Sequence, residues 1–385
     1  MENLTKGQIL RNGLRALISR HEPGARLPTV AQLCNRFNVS IVTLDRALHA
    51  LEQEEIVQRK HGSGIFVART IGQKTIGIVY DFDASHPGAP PFFPVFIREI
   101  QARAAAKNER VRFYFNVSPG KTGAPSCEVL LNDIQAHRLH GIIFADSEIS
   151  RLGDWFAKQT IPCATFTRRS AIPWRIQIDY ARLINCGVRA LIKQGCRRIG
   201  LLAFPWADQT DSDKNLNAFR KAMAQADLPV RPEFIVIPFK KPYRGAISKQ
   251  SFEEAAFCAI NDLLVGVQSR TGRTIGFPDG FVSVDDTLTR GALMAFQKNG
   301  FFVGRDIRVA THANVGSPAL LGFENDVTLL QIVPALIVDE LFKMLEDRMD
   351  GKSPKNSVVF ISPRLIVPPR KSRRKQPLKM EERQK

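Results

Sequence analysis

Short apolar segments alternate with longer amphipathic segments from residue 75 to residue 312, and the alternation runs through two rounds. The first round opens with the apolar stretch TIGIVYDF and the second with RRIGLLAF. Apolar strands separated by helices predict parallel sheets, because consecutive parallel strands need a long crossover connection. We therefore predict an α/β fold with two lobes, each a doubly wound parallel sheet, and a ligand cleft at the carboxyl ends of their strands.

The first seventy residues carry a different pattern of three short helices followed by a hairpin. Thr29 with Gln32 predicts a capping box at the start of the second helix, and Ser40 predicts an N-cap for the third. The segments IVQRK and GIFVA then predict two strands joined by HGSG. This order is typical of a winged helix-turn-helix, whose third helix enters the major groove of DNA. The predicted buried stripe of that helix is Leu44, Ala47, Leu48 and Leu51.

The positive charge of the chain is concentrated at its two ends. The net charge is +18 over 385 residues, a length that predicts two or three domains. Residues 1–70 carry ten basic and six acidic side chains, and residues 364–385 carry nine basic and two acidic ones. This distribution favours a polyanionic partner. The closing segment PPRKSRRKQPLKMEERQK predicts a disordered tail, either solvated or attracted nonspecifically to DNA.

Missing patterns disfavour several classes of protein. The sequence has no nucleophile elbow, P-loop, GxGxxG or zinc-ligand spacing, so we predict no catalytic residues, no cofactor and no metal. The six cysteines lie far apart and favour reduced thiols in a cytoplasm. The start MENLTKGQIL lacks the apolar core of a signal peptide, and no apolar run approaches the ~20 residues of a membrane span. We therefore expect a cytoplasmic location without a membrane partner.

The motifs of the N-terminal segment resemble those of the GntR family of bacterial transcription regulators. The resemblance covers about residues 5–68 and rests on the LPT turn, the VS cap, the TLDRAL helix and the GSGIFV wing. It implies contacts with DNA phosphates or base edges. Ile41 and Asp45 depart from the family, which often has arginine at the first position and arginine or lysine at the second. The residues expected to contact DNA are Arg26, Thr29, Ser40, Val42, Thr43, Asp45, Arg46, Arg59, His61 and Gly62.

Asp45 is an acid in a segment that otherwise suits an anionic partner. It could accept a hydrogen bond from a cytosine amino group, or orient Arg46 toward a guanine. It could instead serve structure alone, by pairing with His49 one turn later or with a neighbouring arginine. Other residues also have structural alternatives, since Arg46 could be a solvated helix residue and the wing tip a plain hairpin turn.

The two-lobed region resembles the LacI-type effector domain, a relative of periplasmic sugar-binding proteins. The resemblance spans roughly residues 74–368 and is strongest in VDDTLTRGALMAFQKNG. It implies a small-molecule effector, a sugar or sugar derivative, between the lobes, with Asp286 matching the acid that binds effector hydroxyls. The residues expected at the effector site are Asp81, Phe82, Asp146, Arg168, Phe204, Trp206, Asn215, Asp286 and His312.

Three positions of this expected site depart from the family pattern. Asn215 stands where the family has a pocket arginine, and Asp285 stands where an asparagine usually precedes the acid. After the last core strand the family's GxD motif is replaced by THAN, which contains His312. At these three positions the family's ligand contacts do not carry over to this chain.

Several residues at the cleft also have structural alternatives. Asp146 and Arg168 could pair with each other rather than with a ligand. Trp206 could cover the hinge between the lobes. Phe92 and Phe93, in the GAPPFFP loop, could pack in the interior or line the cleft entrance. His312 could be a loop histidine whose hydrogen bonds are satisfied by protein atoms.

Together these patterns predict a DNA-binding transcription regulator, a repressor in most relatives, controlled by a small molecule. Winged-helix proteins of this kind pair on half-sites, so we expect a homodimer on a pseudo-palindromic double-stranded operator. The predicted divisions are a DNA-binding domain at 1–70, a linker at 71–76, an effector-binding and dimerisation domain at 77–368, and a tail at 369–385.

Two alternatives belong to other classes of protein. GntR-type domains are also fused to enzyme-like domains, but no lysine here lies in a pyridoxal-phosphate setting. A transport-type solute-binding protein would need a signal peptide and would lack an attached DNA-binding domain. Both alternatives are therefore less consistent with the sequence than a regulator.

Overall fold

The computed structural model describes residues 5–83, 89–121, 123–145, 150–167, 172–204, 209–238, 251–271, 276–353 and 355–369. Three residues expected at the effector site, Asp146, Arg168 and Trp206, lie outside these ranges. The predicted C-terminal tail also lies outside them from residue 370 onward. The remaining predicted positions can be placed.

The N-terminal part is a winged helix-turn-helix, as the sequence predicts. It consists of helices α1 (Lys6–Ile18), α2 (Val30–Phe37) and α3 (Ile41–Gln53) and antiparallel strands β1 (Val57–Lys60) and β2 (Gly64–Val67). Thr29 caps α2 in a capping box with Gln32, and Ser40 caps α3. The predicted apolar stripe of α3 is buried against α1 and the hairpin. The opposite face of α3 therefore points away from the core of this domain.

The first lobe is built on a parallel sheet of six strands. Its strand order is β13-β7-β6-β5-β3-β4. Strands β3 and β5 are buried along their whole length, because helices cover both faces of the sheet. The elements of this lobe are β3 (Thr75–Val79), α4 (Phe92–Ala106), β4 (Arg110–Tyr114), α5 (Glu128–Gln135), β5 (Gly141–Ala145), α6 (Ser150–Phe156), β6 (Cys163–Phe166), β7 (Arg175–Ile178), α11 (Pro334–Met349) and β13 (Val358–Ile361).

The second lobe has a six-stranded sheet of its own, in the order β14-β12-β11-β10-β8-β9. Its strands run parallel except β14, which pairs antiparallel with β12 at the edge. The expected strand EFIVIPF is reduced to a 3₁₀ turn and the two-residue β9. The elements are α7 (Tyr180–Lys193), β8 (Ile199–Leu202), α8 (Gln209–Ala224), β9 (Ile235–Val236), α9 (Phe252–Thr271), β10 (Gly280–Ser283), α10 (Asp286–Lys298), β11 (Arg308–Asn314), β12 (Thr328–Ile332) and β14 (Arg364–Ile366).

The chain passes between the lobes three times. It leaves the first lobe after β7, returns after β12 through α11, and leaves again between β13 and β14. Helix α11 packs on β5, β6 and β7, so its apolar residues belong to the core of the first lobe. Among the described residues, no helix has the length and apolar character that crossing a membrane requires.

Candidate functional sites: a DNA-binding surface and an interlobe cleft

The outward face of α3 exposes the side chains expected to contact DNA. Ile41 and Val42 leave 66% and 61% of their surface exposed, although both are large and apolar. Asp45 and Arg46 are exposed on the same helix. Apolar side chains beside a cation suit the major groove, where a thymine methyl group takes apolar contacts and arginine binds guanine.

The start of α3 presents two hydroxyl groups. Ser40 Oγ accepts a hydrogen bond from the backbone amide of Thr43 at 3.2 Å and lies 2.9 Å from the hydroxyl of Thr43. The partial positive charge at a helix N-terminus favours a phosphate there. Thr29 occupies the equivalent capping position of α2, where its side chain accepts from the backbone amide of Gln32.

Three further residues that were predicted to contact DNA lie in or beside the wing, which is the β1–β2 hairpin. His61 and Gly62 are exposed at the tip, where Gly62 has a φ of +68° that an L side chain rarely adopts. Arg26 lies against the wing, since a Cβ on Gly64 would stand 3.2 Å from its Nε atom. Glycine at position 64 therefore leaves room for the guanidinium of Arg26 beside the hairpin.

Asp45 contacts an arginine of the wing. Its Oδ1 atom accepts a hydrogen bond from Arg59 Nη1 at 2.6 Å. Glu52, two turns further along the same face of α3, accepts from the Nε atom of the same arginine at 2.9 Å and from its backbone amide at 3.1 Å. Burial alone would raise the pKa of Glu52, but the hydrogen bonds from Arg59 lower it below its usual value. Arg59 therefore ties the wing to α3.

The C-terminal end of α3 contacts the first lobe. The Glu55 carboxylate pairs with Arg110 and Arg112 of β4. Arg138 donates from Nε to the backbone carbonyl of Gln53 at 2.9 Å and from Nη2 to its side-chain oxygen at 3.0 Å. A guanidinium at the carboxyl end of a helix is favoured by the helix dipole. The position of α3 is therefore coupled to that of the first lobe.

Asp133 is the buried centre of this contact and exposes only 2% of its surface. Its two oxygens accept hydrogen bonds from Arg112 at 3.0 Å, Tyr114 at 2.6 Å and Arg138 at 2.9 Å. Burial raises the pKa of this carboxyl, but the hydrogen bonds from these three donors outweigh it and lower the pKa below its usual value. Asp133 thus remains ionised and holds both arginines toward α3.

The chain crosses between the lobes at the carboxyl ends of strands β7 and β12. Strand β7 ends at Ile178, and Tyr180 then packs edge-on against His312 of β11 with ring centroids 6.3 Å apart. Strand β12 ends at Ile332, two residues before α11 enters the first lobe. Ligands of doubly wound folds bind outside the carboxyl ends of the strands. The crossovers therefore mark the expected cleft.

Asp286 begins α10 on the second-lobe side and exposes 3% of its surface. Its Oδ2 atom accepts hydrogen bonds from the backbone amide of Asn314 at 3.3 Å and from its side-chain amide at 3.2 Å. The N-cap of α10 is the preceding Asp285, whose side chain accepts from the backbone amide of Leu288 at 2.8 Å. Capping therefore does not account for the position of Asp286.

His312 and Asn215 are also buried, exposing 4% and 5% of their surface. His312 lies within strand β11 and not in a loop. It lies close to Asp285 and Asp286, such that one ligand atom from each residue falls within 4.8 Å of the others. The second lobe thus groups two acids and an imidazole at one point. Among the described atoms, Asn215 Nδ2 has no hydrogen-bond partner.

The aromatic residues expected at the cleft pack within each lobe. Phe82 contacts Phe93 with ring centroids 4.7 Å apart, and Phe92 stacks on Phe96 at 5.1 Å. Phe204, two residues after the end of β8, contacts a phenylalanine at the start of α9 with ring centroids 4.9 Å apart. Of these residues, the α9 phenylalanine is partly buried, and each of the others exposes at most 8% of its surface. Asp81, beside Phe82, is half-buried.

Two protein families match this chain in separate regions. Residues 8–67 match the family described as "Bacterial regulatory proteins, gntR family". Residues 188–372 match the family described as "Periplasmic binding protein-like domain". The chain carries a GntR-family helix-turn-helix domain and a periplasmic binding protein-like domain. The GntR domain contains α3 and the wing, and the binding-protein-like region contains Asp286 and His312.

Two curated relatives match different shares of the chain. A stretch of 178 residues is 26% identical to the HTH-type transcriptional repressor PurR of Yersinia pestis bv. Antiqua (strain Antiqua), covering 46% of each chain. The chain therefore spans about half the length of the PurR relatives. The HTH-type transcriptional regulator GalR of Streptococcus thermophilus is 23% identical over 339 residues, which cover 80% of this chain and 86% of that protein.

Solved structures share the fold of the binding-protein-like domain. A regulatory protein of the LacI family from Chloroflexus aggregans superposes with a TM-score of 0.60 at 19% identity, covering 77% of this chain and 98% of its own. The complex of the transcriptional regulator CelR with cellobiose superposes with a TM-score of 0.57 at 15% identity, covering 89% and 99%. The predicted resemblance to GntR-type and LacI-type proteins is confirmed.

The sequence alone did not reveal four residues of these sites: Glu52, Glu55, Asp133 and Asn314. Asp133 had a local signal, because it follows Leu130 by one helical turn and so falls on the apolar face of α5. An acid at such a position requires buried partners. Glu55 and Asn314 had no local signal, since their partners lie 28 or more residues away in sequence.

Proposed function

We propose that this protein is a transcription regulator whose operator binding is controlled by a small molecule in the interlobe cleft. The observation that carries the proposal is the direct contact between the helix-turn-helix domain and the first lobe. The recognition helix of a GntR-family domain is anchored, through Gln53 and through Glu55 two residues later, to the first lobe of a binding-protein-like fold. A movement of that lobe would therefore move α3.

The DNA partner is a double-stranded operator read in the major groove by α3. Val42, Thr43 and Arg46 face the base edges, and Ser40 and the wing tip hold phosphates. The protein acts as a homodimer on a pseudo-palindromic site, since one winged helix reads only a half-site. Both curated relatives are HTH-type regulators and PurR is a repressor, which supports repression as the mode of action.

The effector is a sugar or a related hydroxylated metabolite. Asp286 and Asn314 offer buried oxygen and amide groups of the kind that bind hydroxyls, and a structural neighbour is a regulator in complex with cellobiose. Effector binding closes the lobes and displaces the lobe residues that hold Gln53 and Glu55. For useful switching, effector and operator must prefer different conformers, each binding its own more tightly by a few kcal/mol. An almost complete switch requires a difference in binding free energy of about 5.5 kcal/mol.

An operator-binding titration with the full chain tests the DNA-binding half of the proposal. Arg46→Ala should weaken binding to the operator by at least tenfold, about 1.4 kcal/mol, because a specific arginine contact is removed. Arg305→Ala is the matched control, since Arg305 is an exposed arginine of the second lobe that is distant in sequence from α3. Equal affinities for the wild type and both variants in fluorescence anisotropy would refute the assignment of α3.

A thermal-shift screen of sugars and related metabolites tests the effector half. A ligand that binds the folded cleft should raise the melting temperature of the wild type, because binding stabilises the native state. Asp286→Ala should abolish that shift while leaving operator affinity in the absence of effector unchanged. An undiminished shift in this variant would place the effector elsewhere.

A further inference from the structure

Two of the three departures from the LacI-type pattern converge on one point in the structure. Asp285 replaces an asparagine next to Asp286, and His312 lies in the segment that replaces the family's GxD motif. Asp285 and His312 are 27 residues apart in sequence. Yet a carboxylate oxygen from each aspartate and a ring nitrogen of the histidine all lie within 4.8 Å of one another.

We propose that Asp285, Asp286 and His312 bind a divalent transition-metal ion at the carboxyl ends of β10 and β11. The metal would complete its coordination with water or with hydroxyl oxygens of the effector. Only coordination by effector hydroxyls rests on the proposed function. The three protein ligands are present without an effector.

The burial of Asp286 is an independent observation that favours a cation. Asp286 exposes only 3% of its surface, and its carboxylate lies beside a second carboxylate. Within the described ranges no lysine or arginine pairs with it, and its hydrogen bonds come only from Asn314. Two adjacent carboxylates in a buried setting are disfavoured unless a cation lies beside them. A divalent ion would supply the missing positive charge.

Two buried side-chain oxygens near Asp286 also favour a hydrated metal ion. Asn314 Oδ1 belongs to the amide that holds Asp286, and Thr287 Oγ1 belongs to the next residue along α10. Both atoms are buried and have no hydrogen-bond partner among the described residues. Buried polar atoms normally have a partner, and the water ligands of a hydrated metal would satisfy both.

The backbone around the proposed ligands is held in place by side chains. Thr289 Oγ1 donates to the Asp285 carbonyl at 2.6 Å, and Ser283 Oγ donates to the same carbonyl at 3.1 Å. Asn314 fixes one oxygen of Asp286 and leaves the other for a metal. Metal sites depend on such outer contacts, which orient the ligands before the ion binds.

The ligand set indicates which metals fit. Two carboxylates and an imidazole suit Mn²⁺, Co²⁺ or Zn²⁺, whereas Ca²⁺ and Mg²⁺ prefer oxygen ligands alone. No thiol belongs to the set, because the cysteines of the chain lie at other positions. Three protein ligands leave coordination positions open, as in sites where the metal also holds a small molecule.

Titration of the full-length protein with Mn²⁺, followed by electron paramagnetic resonance, tests the proposal. A parallel Co²⁺ titration reports by its visible absorption whether thiolates take part. We expect one Mn²⁺ per chain, with affinity reduced by at least about tenfold in Asp285→Asn and in His312→Gln. Asparagine is a good N-cap and is the usual family residue at position 285, so the first substitution retains the cap of α10.

Cys258→Ser is the matched control for adventitious binding, because Cys258 is an exposed thiol outside the site. This variant should bind Mn²⁺ as the wild type does. If Mn²⁺ does not bind, or binds equally to wild type, Asp285→Asn and His312→Gln, the proposal is wrong. If His312→Gln fails to fold, the Asp285→Asn titration decides alone.

Operator titrations separate this proposal from the proposed function. Loss of metal binding in the two variants, together with normal operator affinity, supports the metal site independently of the DNA-binding role. Absence of metal binding in a wild-type protein that still binds its operator would overturn the metal site alone. Metal binding by a protein that binds no operator would overturn the proposed function and leave the metal site intact.

Discussion

Asp45 and Arg59 pair across the angle between α3 and the wing, and this contact favours the structural alternative for the acid. The structure pairs Asp45 with an arginine of the wing 14 residues later, and not with His49 one turn away. The side chain of Asp45 nevertheless remains 63% exposed. Its second oxygen can therefore still accept a hydrogen bond from DNA, and contact with a cytosine stays a prediction.

Base preference distinguishes the two roles of Asp45. If the carboxylate reads a cytosine, Asp45→Ala should reduce discrimination at one operator base pair by ~1–3 kcal/mol and leave the others unchanged. If it only orients the wing, affinity should fall by a similar factor on every operator variant. Anisotropy titrations against a set of single-base operator variants measure the difference. Arg59→Ala is the reference variant, and it should show the uniform loss of affinity expected when the wing is displaced.

The stability of the protein should depend on the ionisation of Asp133. The pKa of this carboxyl is lowered in the folded state, where hydrogen bonds from Tyr114, Arg138 and Arg112 outweigh burial. Its contribution to stability is therefore complete above the unfolded pKa of about 3.9 and is lost as pH falls through the folded pKa. Asp133→Asn should destabilise by about 1–3 kcal/mol at neutral pH.

Denaturant unfolding from pH 7 to pH 3 checks this expectation. The difference between wild type and Asp133→Asn should be constant down to about pH 4 and should narrow below it, because the wild-type carboxyl then takes up a proton. A difference that stays the same at all pH values would contradict the lowered pKa.

At the scale of elements, the backbones of α9 and α10 approach closely at Gly291. A Cβ on Gly291 of α10 would lie 2.0 Å from the backbone oxygen of Glu253 in α9. A backbone atom cannot move aside as a side-chain end can. The distance between these helices therefore depends on glycine at position 291.

Gly291→Ala should force the two helices apart and destabilise the second lobe by about 1–3 kcal/mol. Gly266→Ala is the matched control in α9, because a Cβ there would meet no heavy atom of the described residues within 4 Å. That change should be neutral or stabilise by about 0.4–1 kcal/mol, since alanine restricts the unfolded chain. Melting temperatures of the two variants measure the contrast, and equal destabilisation would contradict the packing argument.

Local patterns predicted most of the elements because their causes are local. The stripe on α3, the caps Thr29 and Ser40, and the fully apolar β3 and β5 each follow from neighbouring residues. The return of α11 to the first lobe could not be predicted in the same way. An apolar helix face shows that a helix is buried, and does not show against which sheet it packs.

The candidate sites were less predictable than the elements. Their residues come together through contacts that join distant parts of the chain. The sequence identified Asp286 and His312 singly, but their proximity depends on the register of β10 and β11 in the sheet. The Glu55 contact joins two domains, and its partners Arg110 and Arg112 occur in a strand that shows no special pattern.

At the scale of the whole molecule, the Glu55 contact should transmit the state of the lobes to α3. Glu55→Gln removes the charge that pairs with two arginines and leaves the Asp133 network intact. We expect operator affinity without effector and effector affinity without operator to change little. The effector-dependent change in operator affinity, a coupling of typically ~1–3 kcal/mol, should be reduced several-fold.

Glu54→Gln is the matched control for this experiment. Glu54 pairs with Arg15 inside the GntR domain and has similar exposure to its neighbour. Operator titrations with and without effector should therefore show normal coupling in Glu54→Gln and weak coupling in Glu55→Gln. Equal coupling in the two variants would exclude the Glu55 contact as the route between cleft and DNA.

The chain passes between the lobes three times, and this limits which segments of its gene can be exchanged by recombination. The first lobe takes strands from residues 75–178 and then its last helix and strand from residues 334–361. No single cut can therefore separate one lobe from the other. The GntR domain, in contrast, precedes β3 and is joined to the rest by one stretch of chain. Recombination near residue 70 can exchange the DNA-binding domain, whereas the lobes must be inherited together.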